Sequence, residues 1–161
     1  LALDGYASVM SQTSPAHGFL DDVIARRLLD LATSVEQSLG SAVRVERREL
    51  FCGEVRLLPA RPDAMSVSWI DFGDELGLYA GTRGWWELGR DLADVAFVED
   101  VVRSIVAGRV EEVLAPGRSR LVVTMPDGSR TADTGADAPI GCLPLPWWPR
   151  WGRRVSYAPY D

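Results

Sequence analysis

The feature that most restricts the fold is a change of period at Gly40. From Phe19 to Leu39 the apolar residues Leu20, Ile24, Leu28, Leu31, Val35 and Leu39 recur every three or four positions, which marks a helix with one buried face. Gly40 follows as its C-terminal stop. Directly afterwards Val43 and Val45 alternate with Arg44 and Glu46, the period of a half-buried strand. A chain that switches in this way must pack a helix on a sheet, so an α+β class is expected.

The downstream pattern repeats this order. A second strand is expected over Glu54–Leu58, with Pro59, Pro62 and Asp63 punctuating the loop behind it. MSVSWIDF and ELGLYAG give two more strand candidates around Gly73 and Asp74, and together these read as an antiparallel meander. Asp91, with Asp94 three residues on, opens a second helix that runs to about Ala107 before Gly108. Its buried face is Val95, Val98, Val102 and Ile105, widened by Phe97, Val101 and Val106. Val110–Leu114 and Arg120–Met125 are the next strands, and PDGS at 126–129 turns the chain back into SRTADT. The simplest packing is one mainly antiparallel sheet with two main helices on a face.

At 161 residues the chain suits a single domain that buries about 70% of its unfolded surface. Residues 18–142 form the expected domain, residues 143–161 a tail, and residues 1–17 a disordered N-terminal segment. The stretch beginning at Met10 reads like a natural N-terminus, so the first nine residues read as an alternative start or an appended segment. No apolar run reaches the roughly 20 residues of a membrane span. Asp4 and the lack of basic residues nearby argue against a secretory signal, and a cytoplasmic location is the resulting expectation. Cys52 and Cys142 lie far apart and read as two buried thiols.

Residue types that are missing exclude several chemistries. All 17 basic residues are arginine, and neither Lys nor Asn occurs, which points to a GC-rich genome. Without Lys there is no P-loop lysine and no Schiff base, and without Asn no glycosylation sequon. His17 is the single histidine, in a Ser, Pro and Gly-flanked stretch, so Ser-His-Asp, Cys-His and multi-His metal sites are excluded. No cofactor and no metal are expected.

Three stretches are candidate sites. GTRGWWELGRD, residues 81–91, sits between a strand and a helix, but its glycines do not match GxGxxG, and Asp91 and Asp94 oppose a phosphate at the helix start. It reads as a turn whose Trp85 and Trp86 point to opposite faces, one inward and one toward solvent. DFGDE, residues 71–75, has the letters of the kinase metal motif without the rest of a kinase. Asp71, Asp74 and Glu75 are then either paired carboxylates or a hydrophilic hairpin end. Glu99, Asp100, Glu111 and Glu112 add further acidity around the second helix.

PLPWWPRWGRR, residues 144–154, is the third stretch. Up to Cys142 there are 14 arginines against 22 acidic residues, and after it three arginines against one aspartate. An acidic body disfavours nucleic acid, and the tail lacks the helical amphipathicity of a membrane-binding segment. Its prolines are expected to stiffen an extended segment that plugs onto the domain through Trp147, Trp148 or Trp151, with Arg150 among them and at least one indole buried.

The stretch GLYAGTRGWWELGRD, the helix LADVAFVEDVVRSIVAGRV and the strand and turn RLVVTMPDG together resemble small actinobacterial immunity-type or uncharacterised α+β proteins. The resemblance implies neutralisation of a toxin by direct binding, and it transfers no functional residue. The leading expectation is therefore a non-catalytic protein-binding domain, monomeric or homodimeric, that contacts a basic partner protein through Trp85 or Trp86 with Asp71, Asp74 and Glu75. One alternative is a carboxylate-dependent hydrolase or small-ligand binder with two acids facing one concave site. A structural or oligomeric protein is the other.

Overall fold

The computed structural model describes residues 22–49, 53–144 and 146–161. Cys52 and the expected disorder of residues 1–17 lie outside the described residues, as does the side chain of Cys142.

Helix α1, Val23–Leu39, starts where the Asp22 carboxylate accepts the Ile24 N–H at 2.9 Å, satisfying a donor that helix geometry leaves orphaned. It ends at Gly40, whose φ of 52° suits a residue without a side chain. Five strands follow as a meander: β1 Val43–Glu49, β2 Gly53–Pro59, β3 Val67–Asp71, β4 Leu76–Ala80 and β5 Gly84–Leu88, paired in chain order. Helix α2, Leu92–Val106, is capped by Asp91, which accepts the N–H groups of Ala93 and Asp94. Strands β6 Val110–Ala115, β7 Arg118–Thr124 and β8 Arg130–Ala136 form a second meander. The chain then makes a short helix α3, Trp148–Trp151, and a final strand β9, Arg153–Ser156, which pairs with β6.

The α+β class holds, but the strands form two antiparallel sheets, β1-β2-β3-β4-β5 and β8-β7-β6-β9, rather than one. The reason lies at β5. Its outer edge is met by a side chain: the Trp85 N–H donates to Asp133 Oδ2 at 3.0 Å. A carboxylate on β8 thus takes the donor that another strand would have used, which also covers an open edge. Arg83 pairs with Asp137 across the same junction. At Gly84 any Cβ would lie 2.6 Å from Ala80 O and 2.7 Å from a Leu121 methyl, so only glycine lets β5 approach the second sheet so closely.

The core lies where both sheets meet the helices. Val95, Val98, Val101, Val102 and Ile105 of α2 are all fully buried, against Leu57, Trp69 and Leu78 of the first sheet and Leu121 and Val123 of the second. Full burial of each such aliphatic side chain stabilises the fold by about 1.5–3 kcal/mol. The C-terminus closes this core. Tyr160 is 1% exposed, donates its hydroxyl to Met65 O at 2.6 Å and its N–H to Val106 O at 3.0 Å. Burial pushes its phenol well above the ordinary tyrosine range.

Residues 143–161 are therefore not simply an extended tail. Trp148 is buried beneath the β6–β7 end, with its ring 5.8 Å from the Arg118 guanidinium, whereas Trp147 and Trp151 are exposed. Arg153 and Arg154 sit opposite Leu114 and Val113 in the second sheet.

Candidate functional site

Strand alternation sorts the first sheet into two faces. Val55, Leu57, Val67, Trp69, Leu76 and Leu78 point into the core. The opposite face carries a row that crosses all five strands in register: Glu46, Arg56, Ser68, Tyr79 and Trp85. Among the described residues no helix covers this row.

The row divides by chemistry. On β1 and β2 the charges neutralise one another, since Arg44 and Arg48 pair with Glu46, and Arg48 and Arg56 pair with Glu54. On β4 and β5 the surface is aromatic. Tyr79 and Trp85 meet edge to face with ring centroids 4.0 Å apart and planes at 85°, a favoured aromatic geometry. A Cβ on Gly77 would lie 3.2 Å from the Tyr79 ring and 3.3 Å from the Phe72 ring. Both rings therefore lean over this one glycine, and Phe72, Tyr79 and Trp85 form a contiguous cluster with Phe72 and Trp85 exposed.

Three carboxylates border the cluster: Asp74 and Glu75 in the β3–β4 turn, and Glu87 opposite Gly77 on β5. All three are exposed, and among the described residues none of them forms an ion pair with an arginine. Beside Tyr79 the face dips into a depression of about 170 Å³, walled by Arg56, Leu58 and Tyr79 over the small residues Ser66, Ser68 and Gly81. Among the described residues no carboxylate lines it.

The expected site residues thus separate. Trp85 and Trp86 do take opposite faces, Trp85 outward and Trp86 against the core, where its ring meets Phe97 edge to face with centroids 6.2 Å apart. They do so within strand β5, not within a turn. The turn itself is limited to Gly81–Arg83. Asp74 and Glu75 stand beside Trp85's cluster, but Asp71 does not. Asp71 is 4% exposed and grips Arg90 through two bonds of 2.8 Å, Nε to Oδ1 and Nη2 to Oδ2, and it cannot face a partner. Arg90 also donates to Asp22, so a single guanidinium clips the start of α1 to the end of β3. These carboxylates hold Arg90 above even the high ordinary arginine value. The Ile24 N–H first, and Arg90 second, hold Asp22 below the ordinary carboxylate range.

Glu112 is also internal. It is fully buried and accepts the Thr82 N–H at 2.9 Å, the Thr82 hydroxyl at 3.0 Å and the Tyr157 hydroxyl at 2.8 Å. Burial, and then this bond, push the Tyr157 phenol upward. Glu112 joins the β4–β5 turn to the second sheet and the C-terminal segment, while its neighbour Glu111 stays exposed.

Phe72, Tyr79 and Glu87 were not singled out from sequence. The signal was present: alternation in ELGLYAG places Tyr79 opposite Leu76 and Leu78, and alternation in WWEL places Glu87 with Trp85. No protein-family model matches this chain, and a search of curated proteins gives no significant match.

Proposed function

We propose that this chain is a non-catalytic protein-binding domain that engages a basic partner through the β4–β5 half of the first sheet. The observation that supports it most is the Phe72, Tyr79 and Trp85 cluster bordered by three acids without arginine partners. Aromatic residues are the usual anchors of protein interfaces, and unpaired carboxylates at their rim favour a positively charged surface and speed its approach. An immunity-type role, in which the domain masks a basic toxin, is the form of this reading that the sequence resemblance favours. Against a glycosidase-like alternative stand the burial of Asp71 and the lack of any carboxylate in the depression beside Tyr79.

The test is site-specific photo-crosslinking in cells of the source organism, with the crosslinker placed at position 85 or, as control, at exposed Ala132 on β8. The expected result is a basic protein captured from position 85 only, with yield falling at least about tenfold when Asp74 and Glu75 are changed to arginine. Identical capture from both positions, or capture indifferent to the charge reversal, would refute the proposal.

A further inference from the structure

A second exposed surface lies at the β6–β7 end of the second sheet, and it is built around Arg118. This guanidinium donates to the carbonyls of Gly141 and Leu143 and lies over the Trp148 ring at 5.8 Å. It therefore ties the segment before Pro144 and helix α3 to one point. Around that point Ile140, Leu143, Trp147 and Trp151 are 53%, 56%, 70% and 55% exposed. Four large apolar side chains within twelve residues are more than scattered surface hydrophobics, and such clusters mark interaction sites.

The apex is held rather than loose. Trp148 and Gly152 pack under it, a Cβ on Gly152 coming within 2.6 Å of a Val113 methyl, and the Trp151 indole donates to Pro146 O at 3.3 Å. Trp147 has a φ of 54°, a left-handed conformation disfavoured for a bulky residue. Its indole gains no burial in return, which is the kind of local strain associated with function. From Ala138 to Tyr160 the sequence contains no acidic residue, and Arg150, Arg153 and Arg154 are exposed. Among the described residues these three form no ion pair.

We infer that this indole-and-arginine apex docks on the aromatic, acidic face of the first sheet in a second copy of the chain. The inference rests on the reading of that face as a binding surface for a basic protein surface, and it assigns that surface to the locally basic apex of a second copy, although the whole chain is acidic. Each surface supplies what the other lacks. Arg150 and Arg154 meet Asp74, Glu75 and Glu87, while Arg153 points to the other face of β9, and the indoles of Trp147 and Trp151 meet the rings of Phe72 and Trp85. Arginine over an aromatic face adds cation–π attraction. The net charge of −6 opposes self-association at long range, but screening over about 8 Å at physiological salt leaves the local match to decide. Because the two surfaces differ, the contact is heterologous and builds a ring or a chain of copies.

Sedimentation of the full chain tests this. One variant reverses the apex (Arg150→Glu, Arg154→Glu), another the face (Asp74→Arg, Glu75→Arg, Glu87→Arg), and thermal melts confirm that both remain folded. All five positions are exposed, where substitutions seldom unfold a domain. The wild type is expected to grow in mass as concentration approaches about 1 mM. Each variant alone is expected to associate at least about tenfold more weakly, and mixing the two to restore association. A second apex variant, Trp147→Ala with Trp151→Ala, is expected to weaken it without any change of charge. A wild type that stays monomeric, or an apex or face variant that associates like wild type, overturns the inference. If the wild type is monomeric while position 85 still captures a basic protein, the binding face stands and only its assignment to a second copy falls.

Discussion

Replacing Arg90 by methionine tests the clip between α1 and the first sheet. Arg90 and Asp71 have side chains only 13% and 6% exposed. Arg90→Met leaves the Asp71 carboxylate buried with the Gly73 N–H at 2.9 Å as its remaining hydrogen-bond donor. Removing one partner of a buried pair costs about 3–5 kcal/mol, because the other charge keeps its desolvation penalty and loses its compensation. For a domain of this size that corresponds to a fall in melting midpoint of about 6–20 °C. Asp22 adds little to the cost, since its side chain is 31% exposed and keeps the Ile24 N–H. The double variant Arg90→Met with Asp71→Leu is expected to recover most of the loss, because it removes the stranded charge and the Gly73 N–H can turn to water. Urea denaturation of the wild type, both single variants and the double variant gives the coupling directly, expected at about 2–3 kcal/mol. An Arg90→Met cost below about 1 kcal/mol, or strict additivity in the cycle, would show that the buried charge is not held as described.

Trp148→Ala is expected to lower stability by about 3–5 kcal/mol, and Trp151→Ala by no more than about 0.5, since only the first indole is buried; urea midpoints separate them. Gly135→Ala brings a Cβ within 2.5 Å of the Arg83 carbonyl, and a loss of about 1–3 kcal/mol by the same assay is expected at this junction between the sheets. In acid, Asp22 sets a clear sign. Its folded-state pKa lies below the ordinary value, so its stabilisation is complete above the unfolded value of about 3.9 and fades as pH falls through the folded one. The stability gap between wild type and Asp22→Asn, followed by denaturation from about pH 6 downward, is expected to narrow below about pH 4.

Both main helices were legible in the sequence because their periods are long and their caps explicit. Asp91 and Gly40 fall where expected, and α1 differs only in its start, at Val23. The first four strands were legible for a similar reason, each bounded by turn residues. Strand β5 was hidden because glycines at 81, 84 and 89 frame two tryptophans and suggest a turn. Its conformation is set by hairpin pairing across the Gly81–Arg83 turn, Leu78 with Trp86 and Tyr79 with Trp85, and the glycines on either side of the tryptophans disguise that hairpin as a loop. Strand β9 was hidden more completely. Arg153–Ser156 has no alternating apolar pattern and becomes a strand only because β6 offers it an edge.

The same distinction separates the legible from the illegible part of the proposed binding face. Period and composition identify an exposed indole at Trp85 and acids near the β3–β4 turn. They cannot tell that Asp71 turns inward while Asp74 and Glu75 stay out, because that depends on Arg90, nineteen residues away. Nor can they distinguish Glu111 from Glu112, adjacent in sequence yet one exposed and the other fully buried. In both cases the inward acid is matched by donors: distant Arg90 and adjacent Gly73 for Asp71, and distant Thr82 and Tyr157 for Glu112. Burial of an acid is set by whether the fold brings it donors, and the acids left without them are the ones free to meet another molecule. By that criterion Asp71 and Glu112 belong to the scaffold, and the proposed recognition falls to Asp74, Glu75 and Glu87, although all five look alike in the sequence.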